Sequence, residues 1–142
     1  MAATHTHISD VIRDQAPLIL PPGMTVLHAC QRMQRRRVGA VLVARADGRL
    51  LGIFTGRDAI CRVAAKGRDA RTTTLAEVMT PRPVTMSPGG AAIDALRLMQ
   101  DGGFRHVPII EGSRVVGIVS RGDFRAVEHR RLDEETGLWE RV

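Results

Sequence analysis

Gly52-Ile53-Phe54-Thr55-Gly56-Arg57-Asp58 returns 65 residues later as Gly117-Ile118-Val119-Ser120-Arg121-Gly122-Asp123. Both stretches run glycine, two apolar residues, a hydroxyl residue, two variable positions and an aspartate. The apolar pair reads as the end of a strand. A Thr or Ser followed three residues later by an acid is a capping box, which starts a helix. Outward from these stretches the likeness continues. At an offset of 66, Pro22-Gly23 falls on Pro88-Gly89, Ala29 on Ala95, Met33-Gln34 on Met99-Gln100 and Val41 on Val107. At 65, Arg49 falls on Arg114; at 67, Asp10-Val11 falls on Glu77-Val78. A period this long fits a duplicated small module better than a solenoid. The expected division is a first repeat with its linker over 8–74, a second over 75–131 and a tail over 132–142.

Each copy carries the same elements. A short apolar-faced helix comes first, over 8–14 and 75–79. Prolines at 17, 21, 22, 81, 83 and 88 then hold the chain extended. Val26, Ala29, Cys30 and Met33 form one helical stripe, and Ala92, Leu96 and Met99 form its counterpart. Gly102-Gly103 stops the second of these helices. Strands follow over 38–44 and 50–54, turning at Asp47-Gly48, and over 106–110 and 115–119, turning at Gly112-Ser113. A last helix starts near Asp58 and near Asp123. One copy alone buries too little apolar surface to stand by itself, so two copies sharing a core are expected.

Composition narrows the function. The chain has 142 residues, 44% hydrophobic, 25% charged and 3% aromatic. Its longest apolar runs are far short of the roughly 20 residues of a membrane span, and the N-terminus has no signal-peptide core. A cytoplasmic protein without membrane contact is expected. Cys30 and Cys61 sit apart within apolar patterns and read as small core residues. His5 and His7 lack a third ligand, so no metal site is assigned. No triad or carboxylate pair is spaced for catalysis, and an enzyme is not expected. The formal charge is +6, with Lys66 the only lysine. Residues 1–74 hold 12 basic and five acidic residues, and 75–142 hold nine and ten, balances of +7 and −1.

The repeated motif has chemistry of its own. A strand running into a helix N-terminus presents free N–H groups to a phosphate. An aspartate beside it can accept from both hydroxyls of a ribose, and Arg57 or Arg121 can pair with phosphate oxygens in forked geometry. A nucleoside phosphate fits that set.

In these motifs, in Asp10-Val11 and Glu77-Val78-Met79, and in Phe104-Arg105-His106-Val107-Pro108-Ile109, the chain resembles a tandem pair of cystathionine-beta-synthase (CBS) domains, a Bateman module, over about residues 8–131. The resemblance implies an α+β fold of two β-α-β-β-α units packed through their sheets about a pseudo-two-fold axis. It implies a regulatory module that binds AMP, ADP, ATP, S-adenosylmethionine or a similar ligand in clefts between the units. That ligand is regulatory, and no obligatory cofactor is implied. A homodimer is expected. With both repeats counted, output is expected in trans on an effector protein. Asp58 and Asp123 match the ribose-binding positions, Thr55 and Ser120 the hydroxyls, and Arg57 and Arg121 the phosphate-facing positions. Arg105, His106 and Pro108 match the strand that reaches phosphate, and Thr85 the polar residue before it. In the first copy these last four positions hold Gly39, Ala40, Leu42 and Ile19, so one complete and one altered site are expected. The alternative function is nucleic-acid binding through the arginine-rich first module, with Arg35-Arg36-Arg37 as its core. Trp139 is a candidate docking residue of the tail.

Overall fold

The computed structural model describes residues 7–124. His5, His129, Trp139, the 132–142 tail and the last helix of the second copy beyond residue 124 lie outside the described residues. The elements are α1 (Ile8–Ile12), β1 (Ile19–Leu20), α2 (Val26–Arg36), β2 (Ala40–Ala44), β3 (Leu50–Thr55), α3 (Gly56–Asp58) running into a π-helical turn (Ala59–Ala64), α4 (Leu75–Val78), β4 (Thr80–Pro81), α5 (Ala92–Gly102), β5 (His106–Glu111) and β6 (Arg114–Ser120), closed by a 3-10 turn (Arg121–Asp123).

The compact units of the structure cut across the sequence repeats. One unit takes Ala16–Pro83 with Gly112–Val115. The other, within the described residues, takes 7–15, 84–111 and 116–124. Thus the short helix leading each repeat is built into the unit formed mainly by the other repeat. Leu75 and Val78 of α4 are buried with Leu20, Val26, Met33, Val41 and Phe54. Ile8 of α1 is buried with Leu96, Met99, Val107, Ile109 and Val119.

The first-repeat unit holds a four-stranded sheet in the order β1-β2-β3-β4. Strand β1 runs parallel to β2, and the pairs β2–β3 and β3–β4 are antiparallel. All five residues of β2 are buried, as expected of a central strand. Pro81 lies on the edge strand β4, where its missing N–H leaves no ladder bond unmade. Thr25 caps α2 by accepting from His28 N at 3.3 Å. The helix ends with Arg37 in the left-handed region at φ 55°, where the second copy has Gly103 at 73°. In the second-repeat unit β5 pairs with β6, and Met86 makes a parallel bridge to Ile109 in the place of β1.

Three elements depart from the sequence expectation. Helix α1 stops at Ile12, and α4 stops at Val78 because Met79 is already extended ahead of Pro81. Strand β2 starts at Ala40, since Val38 N still donates to Met33 O in the helix cap. Cys61, expected in the core, is exposed. It lies on the π-helical turn, whose inward residue is Val63.

Gly52 and Gly117 explain how the exchanged segments fit. A Cβ on Gly52 would lie 2.6 Å from both Met79 Sδ and Thr80 O, and one on Gly117 would lie 2.8 Å from Ile12 Cβ and Cγ2. Ile12 and Met79 are themselves repeat equivalents. Past the glycine, Ile53 pairs with Thr80 of β4. The equivalent Ile118 is instead held by a side chain: Gln15 Nε2 donates to Ile118 O at 2.7 Å, and Ile118 N donates to Gln15 Oε1 at 3.1 Å.

Gly52→Ala is expected to destabilise the fold by about 1–3 kcal/mol, the usual cost of overpacking. Gly117→Ala is expected to cost somewhat less, because Ile12 Cβ, though held by the backbone, lies at 2.8 Å where Gly52 meets the Thr80 carbonyl at 2.6 Å. Urea midpoints of the two variants against the parent check the order.

Candidate ligand-binding site

In the second-repeat unit the motif closes β6. Ser120 N donates to Asp123 Oδ2 at 2.7 Å, which folds the 3-10 turn back on the strand end. Arg121 N donates to Arg105 O at 3.0 Å, so the turn lies against the start of β5. His106 opens β5 and is half-buried. Burial pushes its imidazole below the ordinary value, Arg105 pushes the same way, and the Asp123 carboxylate opposes both. Two residues on, Pro108 is buried on the same side of the strand. Pro108 O accepts from Met86 N at 3.1 Å, which sets the half-buried Thr85 beside β5. Arg105, His106, Pro108, Ser120, Arg121 and Asp123 therefore come together at one strand end with Thr85 next to them. The Asp123 carboxylate is exposed there.

The first-repeat unit has the same backbone frame with different contents. Gly56 N donates to Gly39 O at 3.1 Å, as Arg121 does to Arg105. Where the second unit has Arg105 and His106, Gly39 and Ala40 bring no side chain that bonds an anion. Asp58 is only 7% exposed. Its Oδ2 accepts from Thr55 N at 3.0 Å and from the Thr55 hydroxyl at 3.3 Å. Its Oδ1 accepts from the Thr80 hydroxyl at 3.4 Å and faces Arg62 Nε at 3.4 Å. Asp58 N returns a bond to Thr55 Oγ1 at 3.3 Å. Every Asp58 oxygen is thus engaged within its own unit, while Arg57 beside it is exposed.

Thr80 and Arg62 escaped sequence reasoning. Arg62 stands at i+4 from Asp58, a spacing shared by many surface pairs that never meet. Thr80 is 22 residues away, and only the β3–β4 pairing brings it to the carboxylate. The asymmetry at residues 39–40 was visible in the repeat alignment; the sequestration of Asp58 was not.

Comparison with known proteins divides the chain by sequence repeat. The family model described as CBS domain matches residues 8–65 and 75–130. A CBS domain-containing protein of Arabidopsis thaliana is 37% identical over 108 residues, covering 76% of this chain and 19% of the relative. The chain thus spans about a fifth of that relative's length. A crystal structure of a CBS-domain-containing protein from Agrobacterium tumefaciens superposes with a TM-score of 0.77 at 31% identity, covering 88% of this chain and 99% of that one. A CBS domain protein from Pyrobaculum aerophilum, solved in complex with AMP, superposes with a TM-score of 0.80 at 22% identity, covering 90% and 98%. This last likeness is one of fold.

Asp58→Asn is expected to cost about 1–3 kcal/mol, because a buried hydrogen-bonded group loses its match. Asp123→Asn, at an exposed cap, is expected to cost less than about 1 kcal/mol. Equilibrium urea unfolding distinguishes them. The His106 shift carries a pH signature. Its folded pKa lies below the ordinary 6.5, so the unfolded chain binds the proton first as pH falls. The stability difference between the parent and His106→Gln is therefore expected to level off above about pH 7.5 and to move against the parent as pH falls through 6.5 and below. Urea midpoints from pH 8 to about pH 5 test the sign.

Proposed function

The chain belongs to the CBS-domain family, as a tandem pair, and on that footing we propose that it is a regulatory module whose second repeat binds an adenosine-type nucleotide. The observation that carries this reading is the meeting of the Ser120–Asp123 turn with the Arg105-His106 strand end. Asp123, with its carboxylate in solvent, is placed in this reading as acceptor for the ribose hydroxyls. Arg105 and Arg121 are the phosphate-facing cations, and a neutral His106 offers an N–H to a phosphate oxygen. Ser120 sets the turn, while Pro108 and Thr85 flank the ligand. Tandem CBS domains are typically regulatory and ligand-binding, and the Pyrobaculum protein of the same fold holds AMP. The proposal gives the first repeat the weaker role. Thr55, Arg57 and Asp58 keep the motif, but the carboxylate is spent on its own unit.

No catalytic step belongs to the proposal: the module acts by changing its affinity for an effector protein, and does so as a homodimer. Ile60, 66% exposed on the π-helical turn, is an apolar residue available to such a contact. Among the described residues no helix is long and apolar enough to cross a membrane.

A thermal-shift and calorimetry series with AMP, ADP, ATP and S-adenosylmethionine tests the reading. At 100 times its Kd a ligand adds about 2.7 kcal/mol of stability. Asp123→Ala is expected to abolish the shift. Asp58→Ala is expected to lower the starting Tm yet keep the shift. A full ligand response in Asp123→Ala overturns the assignment.

A further inference from the structure

The charge of the chain divides more sharply by structural unit than by sequence repeat. The first-repeat unit, Ala16–Pro83 with Gly112–Val115, holds 13 basic and four acidic residues, a balance of +9. The described part of the second-repeat unit holds four basic and six acidic residues, a balance of −2. Moreover, all four acids of the basic unit are already paired inside it: Asp47 with Arg45, Asp58 with Arg62, Asp69 with Arg71 and Glu77 with Arg68. Nine cations are left with no carboxylate partner in the unit. Arg36 bonds the Ala16 carbonyl. Among the described residues Arg32, Arg35, Arg37, Arg49, Arg82 and Arg114 have no ion pair.

Helix α2 concentrates this excess. Its 11 residues contain no acid, and its exposed side carries Arg35 and Arg36, with Arg32 beside them and Arg37 just past the end. Part of that charge complements the helix dipole. Dipole compensation does not account for Arg49 and Arg114, which pair across an antiparallel backbone bridge at the turn of the β2–β3 hairpin, with the Arg114 guanidinium lying over Gly48. Like charges at paired cross-strand positions are destabilising, and a bound anion would relieve that.

We infer that this unit carries a docking surface for the phosphate backbone of a nucleic-acid duplex, led by the arginines of α2, with Arg49 and Arg114 at the β2–β3 turn as a second group of cations. Duplex DNA carries about one negative charge per 1.7 Å of axis with both strands counted, so the stretch of duplex spanned by a helix about 16 Å long carries about ten, part of them on the side the helix meets. An acidic protein would need an unusually dense carboxylate run to match. Arginine supplies 12 of the 13 cations, and its fork pairs bidentately with phosphate. The only aromatic residue of the unit, Phe54, is fully buried. With no ring to stack on bases, the surface suits a duplex backbone rather than an unpaired strand, and binds without regard to sequence. The inference is independent of the nucleotide site, which lies in the other unit's residues.

Fluorescence anisotropy of the full chain with a short mixed-sequence DNA duplex, between about 50 and 200 mM salt, tests it. Binding is expected to weaken steeply with salt. The triple variant Arg32→Gln/Arg35→Gln/Arg37→Gln is expected to weaken it by about tenfold or more and to lower the salt slope by about 3. Arg45→Gln/Arg68→Gln/Arg71→Gln removes the same formal charge from paired cations and is expected to do much less. If the α2 triple fails a urea-unfolding check, Arg49→Gln/Arg114→Gln takes its place, with a slope loss of about 2. Absence of salt-dependent binding overturns the inference, as do equal losses from paired and unpaired cations. Displacement of the duplex by polyglutamate at equal charge concentration also overturns it, in favour of an acidic protein partner.

Discussion

Each unit depends on one close approach: the segment leading one repeat lies against a glycine in the last strand of the other. At Gly52 the neighbours are Met79 and the Thr80 carbonyl, and at Gly117 the neighbour is Ile12, all within reach only because no Cβ intervenes. Everything downstream of those glycines is registered by this contact. It sets Thr80 on Asp58 in one unit and aligns Gln15 with Ile118 in the other. It also makes the two halves of the chain mutually dependent, since each core contains a helix from the other repeat.

That shared frame then carries unequal chemistry. In both units a backbone N–H of the motif turn reaches a carbonyl at the start of the neighbouring strand. In the second-repeat unit the neighbouring side chains are Arg105 and His106, and the motif acid faces solvent. In the first they are absent, and the acid is buried among its own donors. A carboxylate whose oxygens already accept several bonds has little left for a ligand, and releasing it would expose unmatched partners. Duplication has thus left one motif acid open to solvent and turned the other toward holding β4 in place. The charge follows the same division: among the described residues, the first-repeat unit bears most of the arginine without a carboxylate partner.

The fold was readable from the sequence where local physics sufficed. The capping acids, the proline-held extended segments, the apolar stripe of α2 and the Asp47-Gly48 turn all act over a few residues. Their elements stand within one or two residues of where the pattern puts them, as with α2 at Val26–Arg36 and β5 at His106–Glu111. Where the expectation missed, the cause was local backbone geometry that the apolar pattern does not record. Cys61 has core composition around it, yet the π-helical turn directs Val63 inward and leaves Cys61 in solvent.

Sequence alone determined the duplication, the family, and the place of the repeated motif at the end of each repeat's last strand. Repetition is a property of the chain, and a capping box or a strand end is fixed by neighbours in the chain. Tertiary structure alone decided which segments build each core, which of two near-identical aspartates remains open, and which arginines lack an acid. Those outcomes rest on residues far apart in the chain, such as Thr80 with Asp58 or Gln15 with Ile118, and local patterning places no constraint on such distances.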